Sequence, residues 1–505
     1  MTTALRLRYA AAGLLAGLAG LTVALAGTAL LRQRLTPPEA VAEAIIEATP
    51  GQLAVRLVHL VGRWDKPLLL TGVLVGLVPL SVVAGLLARR ALWAGQVVFV
   101  VLGLLAAVSV LTRPEGTVVG LLPVLVGTAA WILALRFLTD PLRAARAARV
   151  LDDKSRRDFL RRSGLVGATA LVFAVGGRFV GRKRRVVEEA RDRLRLPVTK
   201  GTVPAGADLD MDGLVPWRVP ASQFYRIDTA VVVPAVDPAT WQLRIHGMVD
   251  REVRLTYQQL LDRQLTEAWV TLCCVSNPVG GDLIGNAWWS GVRIADLLEE
   301  AGPQDGADAV LQTSADGWTC GTPLGPLTDG RDAMLAVAMN GRPLPLEHGF
   351  PVRMVVPGLY GFVSATKWVV DLEVTRFDDF SAFWTDRGWS PRGPVKTESR
   401  IDVPRANHRV TAGAVRVGGI AWHQHTGIER VEVRLDGGPW TEVELGKVPS
   451  VDTWVQWSGT VQADPGNHSL AVRATDRSGY TQTGAQVGVL PDGATGWHTV
   501  EFTAE

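Results

Sequence analysis

Cys273-Cys274-Val275-Ser276-Asn277 closes an apolar run, Ala268–Leu272, and leads into Gly280-Gly281. Such a run predicts a strand, and neighbouring strand residues point to opposite faces. One thiol of the pair is therefore expected to face a glycine-opened space, placed to ligate a soft metal or act as a nucleophile. The alternative is a packed small hydrophobe. A second stretch, His348-Gly349-Phe350-Pro351-Val352-Arg353, is followed by Pro357-Gly358, Gly361 and Lys367-Trp368. Its Arg, Lys and His bracket glycines that let backbone amides approach, which suits an anionic ligand. A Cys-His hydrolase with His348 as base fits the same composition, and so does a strand–loop–strand with solvated charges.

Around these stretches, residues 224–380 mix short strands (Trp241–Ile245, Val310–Gln312, Val352–Val356) with a helix at Ile294–Ala301 that Gly302-Pro303 should stop. This predicts an α+β domain. After Pro404 the pattern turns all-β, with strands at Ala414–Gly419, Ile428–Leu435, Thr453–Thr460 and Ser469–Ala474, and turns at Asp436-Gly437-Gly438 and Asp464-Pro465-Gly466-Asn467. That spacing predicts an immunoglobulin-like β-sandwich. His423 and His425 have no third metal ligand nearby in sequence, and Cys320 reads as a packed thiol.

The front of the chain is different. Tyr9–Leu31, Leu68–Ala88, Ala91–Leu111 and Thr117–Leu135 are charge-free and long enough to cross a bilayer, and Gly164–Gly177 is a shorter fifth stretch. Arg6, Arg8, Arg89, Arg90, Arg136 and the basic run Arg143–Arg162 fall on one side if the N-terminus is cytoplasmic. The fifth span then carries the rest of the chain to the outer side, although Arg182-Lys183-Arg184-Arg185 runs against the usual bias. Pro38–Leu60 has helical apolar spacing suited to an interface. Ser155-Arg156-Arg157-Asp158-Phe159-Leu160-Arg161 resembles a twin-arginine export signal. Such signals sit on proteins that load a cofactor before export. The four main spans hold no histidine, and His59 lies between spans, so no haem is expected. The 52 Lys and Arg against 49 Asp and Glu give no basic surplus for a nucleic-acid partner. Three cysteines, two of them adjacent, exclude a disulfide framework.

Taken together, the Cys-x-x-Asn and His-Gly-x-Pro-x-Arg…Pro-Gly…Lys-Trp motifs resemble those of the sulfite oxidase family of molybdopterin enzymes. Met339–Pro345, Trp288–Leu298 and, near the C-terminus, Gly419–Trp422, Val431–Val433, Asp436–Gly438 and Val472–Asp476 extend the resemblance over about 224–502. It implies a molybdenum-molybdopterin cofactor, with Cys274 as the catalytic thiolate on the metal and Cys273 behind it. It further implies that Tyr225, Arg226, Asn277, Thr313, His348, Arg353, Thr366 and Lys367 hold the cofactor. Sulfite-oxidising members follow the Cys motif with arginines and place a tyrosine after the Lys-Trp strand. This chain has Pro278-Val279-Gly280 and Phe380 there, which points away from sulfite.

The expected organisation is multidomain. Residues 1–185 form a membrane domain of about five transmembrane helices, with the export signal at 155–161, and 186–216 a linker. Residues 217–398 form the α+β molybdopterin domain, and 399–505 an immunoglobulin-like dimerisation-type domain that implies a homodimer. The expected activity is oxygen-atom transfer on the outer face of the cell membrane. It acts on a small molecule or an oxidised side chain, with a separate quinone- or cytochrome-linked electron partner. The competing expectation is a non-catalytic membrane-anchored binding or scaffold protein that keeps the fold.

Overall fold

In the computed structural model the described residues are 2–31, 33, 35–50, 53, 57, 60–61, 64–113, 118–147, 153–180 and 183–505. His59, Arg182 and part of the basic run after Arg143 lie outside them. The chain divides into two compact units, 1–186 with 229–234, and 187–228 with 235–505.

The first unit is helical: α1 (Thr2–Leu30), α2 (Pro37–Ala48), α3 (Asp65–Ala88), α4 (Leu92–Leu111), α5 (Leu121–Ala147) and α6 (Asp153–Val180), with α7 (Lys183–Arg193) at the boundary. Small residues bring the helices together. A Cβ added at Gly13 of α1 would stand 2.0 Å from the Ser81 carbonyl oxygen of α3, the close approach that glycine permits between membrane helices. Four helical stretches are long and apolar enough to cross a membrane among the described residues: Thr3–Leu30, Asp65–Ala88, Leu92–Leu111 and Val118–Arg146. They cover the first four expected spans. The fifth stretch is the back half of α6, whose front half carries Arg156 and Arg157; α6 is not among the four. The first part of the expected interfacial segment, through Ala48, lies in α2.

In the second unit, residues 194–228 and 235–241 form neither helix nor strand, yet Ala207 and Trp217 are fully buried. Gln456 ties this arm down, accepting from the Leu209 N–H and donating to the Val215 carbonyl. Ten short strands follow: β1 (Gln242–Gly247), β2 (Val253–Thr256), β3 (Thr266–Cys273), β4 (Ile284–Arg293), β5 (Ala309–Ser314), β6 (Thr319–Pro323), β7 (Met334–Met339), β8 (Arg342–Pro343), β9 (Arg353–Val355) and β10 (Val369–Thr375). One sheet runs β2-β1-β10-β5-β6; the other runs β3-β4-β7-β8, with β9 pairing β7. Helix α8 (Ile294–Ala301) buries Ile294, Leu297, Leu298 and Ala301, one face at helical spacing, and ends at Gly302 in the left-handed region.

The C-terminal part is β-rich. One sheet has four strands, including Glu398–Val403, Gly413–Trp422 and Val455–Ala463. The other has five, including Ile428–Leu435, Gly466–Asp476 and His498–Ala504. Side chains from both sheets share one apolar core around Val417, Trp457, Val433, Val472 and Phe502.

Candidate active site

The β3 strand delivers the two thiols. Its last six residues are all buried, which directs the chain end into the interior. The Cys274 N–H donates to the Leu283 carbonyl at 2.9 Å. The Asn277 N–H donates to the Cys274 carbonyl at 3.0 Å, and the Asn277 carboxamide oxygen accepts from the Leu283 N–H at 2.9 Å. Asn277 thus closes the turn that presents Cys274, and its side chain also pulls the buried Cys273 thiol down against the effect of burial. The Cys273 thiol points back, donating to the Cys274 carbonyl at 3.5 Å. Burial pushes the Cys274 thiol up, while Ser276 and the Lys367 ammonium pull it down. A thiol raised by burial and eased by a cation is made anionic by a metal rather than by water.

The second stretch meets it. Tyr225 is held well above the ordinary phenol range by burial and then by the Cys274 and Cys273 thiols, and the Arg353 guanidinium opposes them. One phenol therefore feels both the thiols and the arginine of the His-Gly-x-Pro-x-Arg stretch. Gly349, with φ +106°, makes the stretch compact: a Cβ there would stand 2.9 Å from the Arg353 Cβ and 3.1 Å from the Lys367 Cα. An isolated β-bridge pairs Arg353 with Lys367 directly.

His348 is 5% exposed. Its Nε2 lies 2.8 Å from the Ala221 carbonyl, which can only accept, so Nε2 carries the proton and Nδ1 is the bare acceptor. Among the described residues that buried Nδ1 has no hydrogen-bond partner. Burial first, then the Lys367 and Arg353 cations, pushes the ring to about 4, so it is neutral at ordinary pH. Arg353 is 4% exposed and donates only to carbonyls, those of Met354, His348 and Ala365, at 3.3 to 3.4 Å. No carboxylate pairs it among the described residues. Burial pushes it down to about 10.

Asp228, which sequence reasoning missed, joins the other two cations. Its Oδ2 lies 2.9 Å from Lys367 Nζ and 3.2 Å from Arg226 Nε. The only local signal was an acid two positions after Arg226. The structure thus brings together Cys274, Asn277, Tyr225, Arg226, His348, Arg353 and Lys367. Thr366 adjoins them, but its hydroxyl is spent on Cys320, 3.2 Å from the sulfur. Thr313 sits half-buried on β5 opposite Asp371 and makes no side-chain hydrogen bond to the others.

The donor set fits a pterin carrying a phosphate. Its N–H edge would supply the donor that the bare His348 Nδ1 lacks, and its phosphate the counter-charge that buried Arg353 lacks. A thiolate at Cys274 would add the soft ligand for molybdenum.

Residues 230–384 match the family model described as an oxidoreductase molybdopterin binding domain. Sulfite oxidase of Gallus gallus is 30% identical over 321 residues, covering 53% of this chain and 69% of that protein. An uncharacterized oxidoreductase of Bacillus subtilis (strain 168), YuiH, is 34% identical over 181 residues, 35% of this chain and 88% of its own length. Among solved structures, the sulfane dehydrogenase SoxCD from Paracoccus pantotrophus superposes with a TM-score of 0.50 at 22% identity. It covers 63% of this chain and 91% of that one. At that identity the likeness speaks for the fold alone.

Proposed function

Because the chain belongs to the sulfite oxidase family of molybdopterin-dependent oxidoreductases, we propose that it transfers an oxygen atom to or from a small molecule or an oxidised side chain, anchored in the cell membrane with its catalytic unit outside. The chain is a molybdenum oxidoreductase, and molybdenum-molybdopterin is its cofactor. When bound, molybdenum supplies a centre that exchanges an oxygen atom and two electrons with substrate. Reduction consumes the oxide with two protons and two electrons and yields water; oxidation runs the same balance backwards.

The observation that carries the site is that Cys274 and the buried Arg353, which has no carboxylate partner among the described residues, both act on Tyr225, while Cys274 and neutral His348 both face Lys367. Cys274 would supply the thiolate. His348 Nδ1 would accept from the pterin edge, Arg353 and Lys367 would hold the phosphate, and Tyr225 would cover the thiols from water. Arg226 would reach the same anion from its half-exposed position, with Thr366 and Thr313 at the margin. Asn277 holds the turn.

The four apolar helices and the arginines near their ends support the membrane reading, with α6 as the fifth span and Arg156-Arg157 as the export signal. The domain organisation proposed is the one read from sequence: 1–185 in the membrane, 186–216 a connecting arm, 217–398 around the cofactor, 399–505 an immunoglobulin-like sandwich. Electrons pass to or from a separate quinone- or cytochrome-linked partner. The test is to purify the full chain from a host that makes the cofactor and measure molybdenum and pterin per protein. The purified protein is then assayed against a panel of sulfoxides and N-oxides with a dye electron donor, beside sulfite. Stoichiometric metal with turnover of an uncharged oxide is the expected result; absence of both metal and pterin refutes the proposal.

A further inference from the structure

The turn that presents Cys274 is gripped from the C-terminal strands. Arg400, on the strand Glu398–Val403, donates from Nη1 to the Gly281 carbonyl at 2.8 Å. It is 8% exposed, and its Nε and Nη2 hold Asp402 at 2.6 and 3.3 Å. One residue earlier the Gly280 backbone lies against the His498 ring, where a Cβ would stand 2.2 Å from the ring Cδ2. That ring is fixed in turn, because its Nδ1 accepts the Ile401 N–H at 2.9 Å. The incoming arm is tied as well. The Thr271 N–H donates to the Asp452 carbonyl at 3.0 Å, and its hydroxyl accepts from the Trp454 N–H at 2.8 Å. Its carbonyl accepts from Gln424 Nε2 at 3.1 Å.

These ties lead to the sulfur by a short route. Gly281 is two residues from Leu283, whose carbonyl accepts the Cys274 N–H and whose N–H is held by the Asn277 side chain. A shift of the Gly281 peptide is therefore passed to the backbone of Cys274 itself. We propose that Arg400 is a positioning residue for Cys274, setting from the C-terminal β part the direction in which the sulfur meets the metal. The inference rests on Cys274 being the metal ligand. A guanidinium is suited to this task because its planar fork can bind a carboxylate with one side and a carbonyl with the other; an ammonium has no such fixed fork.

The test uses the full chain loaded in a cofactor-competent host. Arg400→Lys keeps the charge near Asp402 but cannot hold Gly281 in the same geometry. A double variant, Arg400→Met with Asp402→Asn, removes both charges so that neither is stranded in the interior; Asn keeps an acceptor for the Val215 N–H that Asp402 now serves. The readouts are molybdenum and pterin per protein and the Mo(V) electron paramagnetic resonance spectrum after partial chemical reduction. Both variants are expected to retain metal and pterin while their g-values move outside the native linewidth, a change that a purely stabilising ion pair would not cause. Native g-values in both variants overturn the inference, and Arg400→Lys decides alone if the double variant does not fold. A native protein without molybdenum overturns the ligand assignment beneath it; a metal-loaded native protein with unmoved variants overturns this inference only.

Discussion

Arg353 is a buried cation with no carboxylate partner among the described residues, and replacing it with Met separates a binding role from a structural one. The guanidinium lies 5.1 Å from the Trp289 ring, with only long hydrogen bonds to three carbonyls. Its fall from 12.5 to about 10 through burial corresponds, at about 1.4 kcal/mol per pH unit, to roughly 3 kcal/mol spent on keeping the charge inside. Met removes that cost and fills most of the volume with a flexible apolar chain. Against it stand three weak hydrogen bonds, each worth about 0.5–1.5 kcal/mol. The two sides nearly cancel, so the cofactor-free protein should unfold within about 2 kcal/mol of the native chain. Binding has no such compensation. A charge-assisted pair of hydrogen bonds to phosphate, at about 1.5–3 kcal/mol each, is lost outright, which weakens pterin retention by roughly 100-fold or more. Urea denaturation of protein from a host unable to make the pterin, followed by Trp fluorescence, measures the first quantity. Pterin content after expression in a competent host measures the second. If Arg353→Met unfolds more easily by about 3 kcal/mol or more and still loads pterin normally, Arg353 is a structural cation and the cofactor reading of the site fails at its centre.

Other variants address the remaining assignments. Cys274→Ser should keep pterin, because the phosphate and ring contacts lie elsewhere, and lose activity; full activity would reassign the ligand. Burial holds the Glu398 carboxyl protonated, raising it from 4.5 to about 8, with Lys396 opposing. Its folded value lies above its unfolded one, so its contribution to stability is complete below about 4.5 and is lost as pH rises through about 8, at up to about 1.4 kcal/mol per pH unit. Glu398→Gln should flatten the stability profile across that window, and an unchanged slope would mean the carboxyl is already ionised. Changing Arg156 and Arg157 together to Lys should leave the catalytic unit on the cytoplasmic side by protease protection, whereas normal export would reduce the pair to ordinary positive-inside charge.

What sequence could reveal divides along the range of the interactions. Helix α8 was legible to its ends because Ile294, Leu297, Leu298 and Ala301 repeat at helical spacing and Gly302 stops them; Ile428–Leu435 was legible through alternation and its Asp-Gly-Gly turn. The arm through residue 216 read as a linker because it turns rich in Gly, Pro and Asp. Its order comes from backbone groups bound by Gln456, some 240 residues away, and any sequence has those groups. Thr366 was a plausible ligand contact by position, but its hydroxyl direction depends on Cys320 across the fold.

The same limit explains why Asp228 was missed. Motifs display cations because arginines and lysines cluster near glycines, but they do not display the counter-ion when it comes from elsewhere. Asp228 reaches Lys367 across 139 residues. Counting Arg226, Arg353 and Lys367 against Asp228, with His348 neutral, these groups carry a formal charge of +2. A phosphate monoester carries about −1.5 to −2 at neutral pH, so in the proposed site a single terminal phosphate would come close to balancing them.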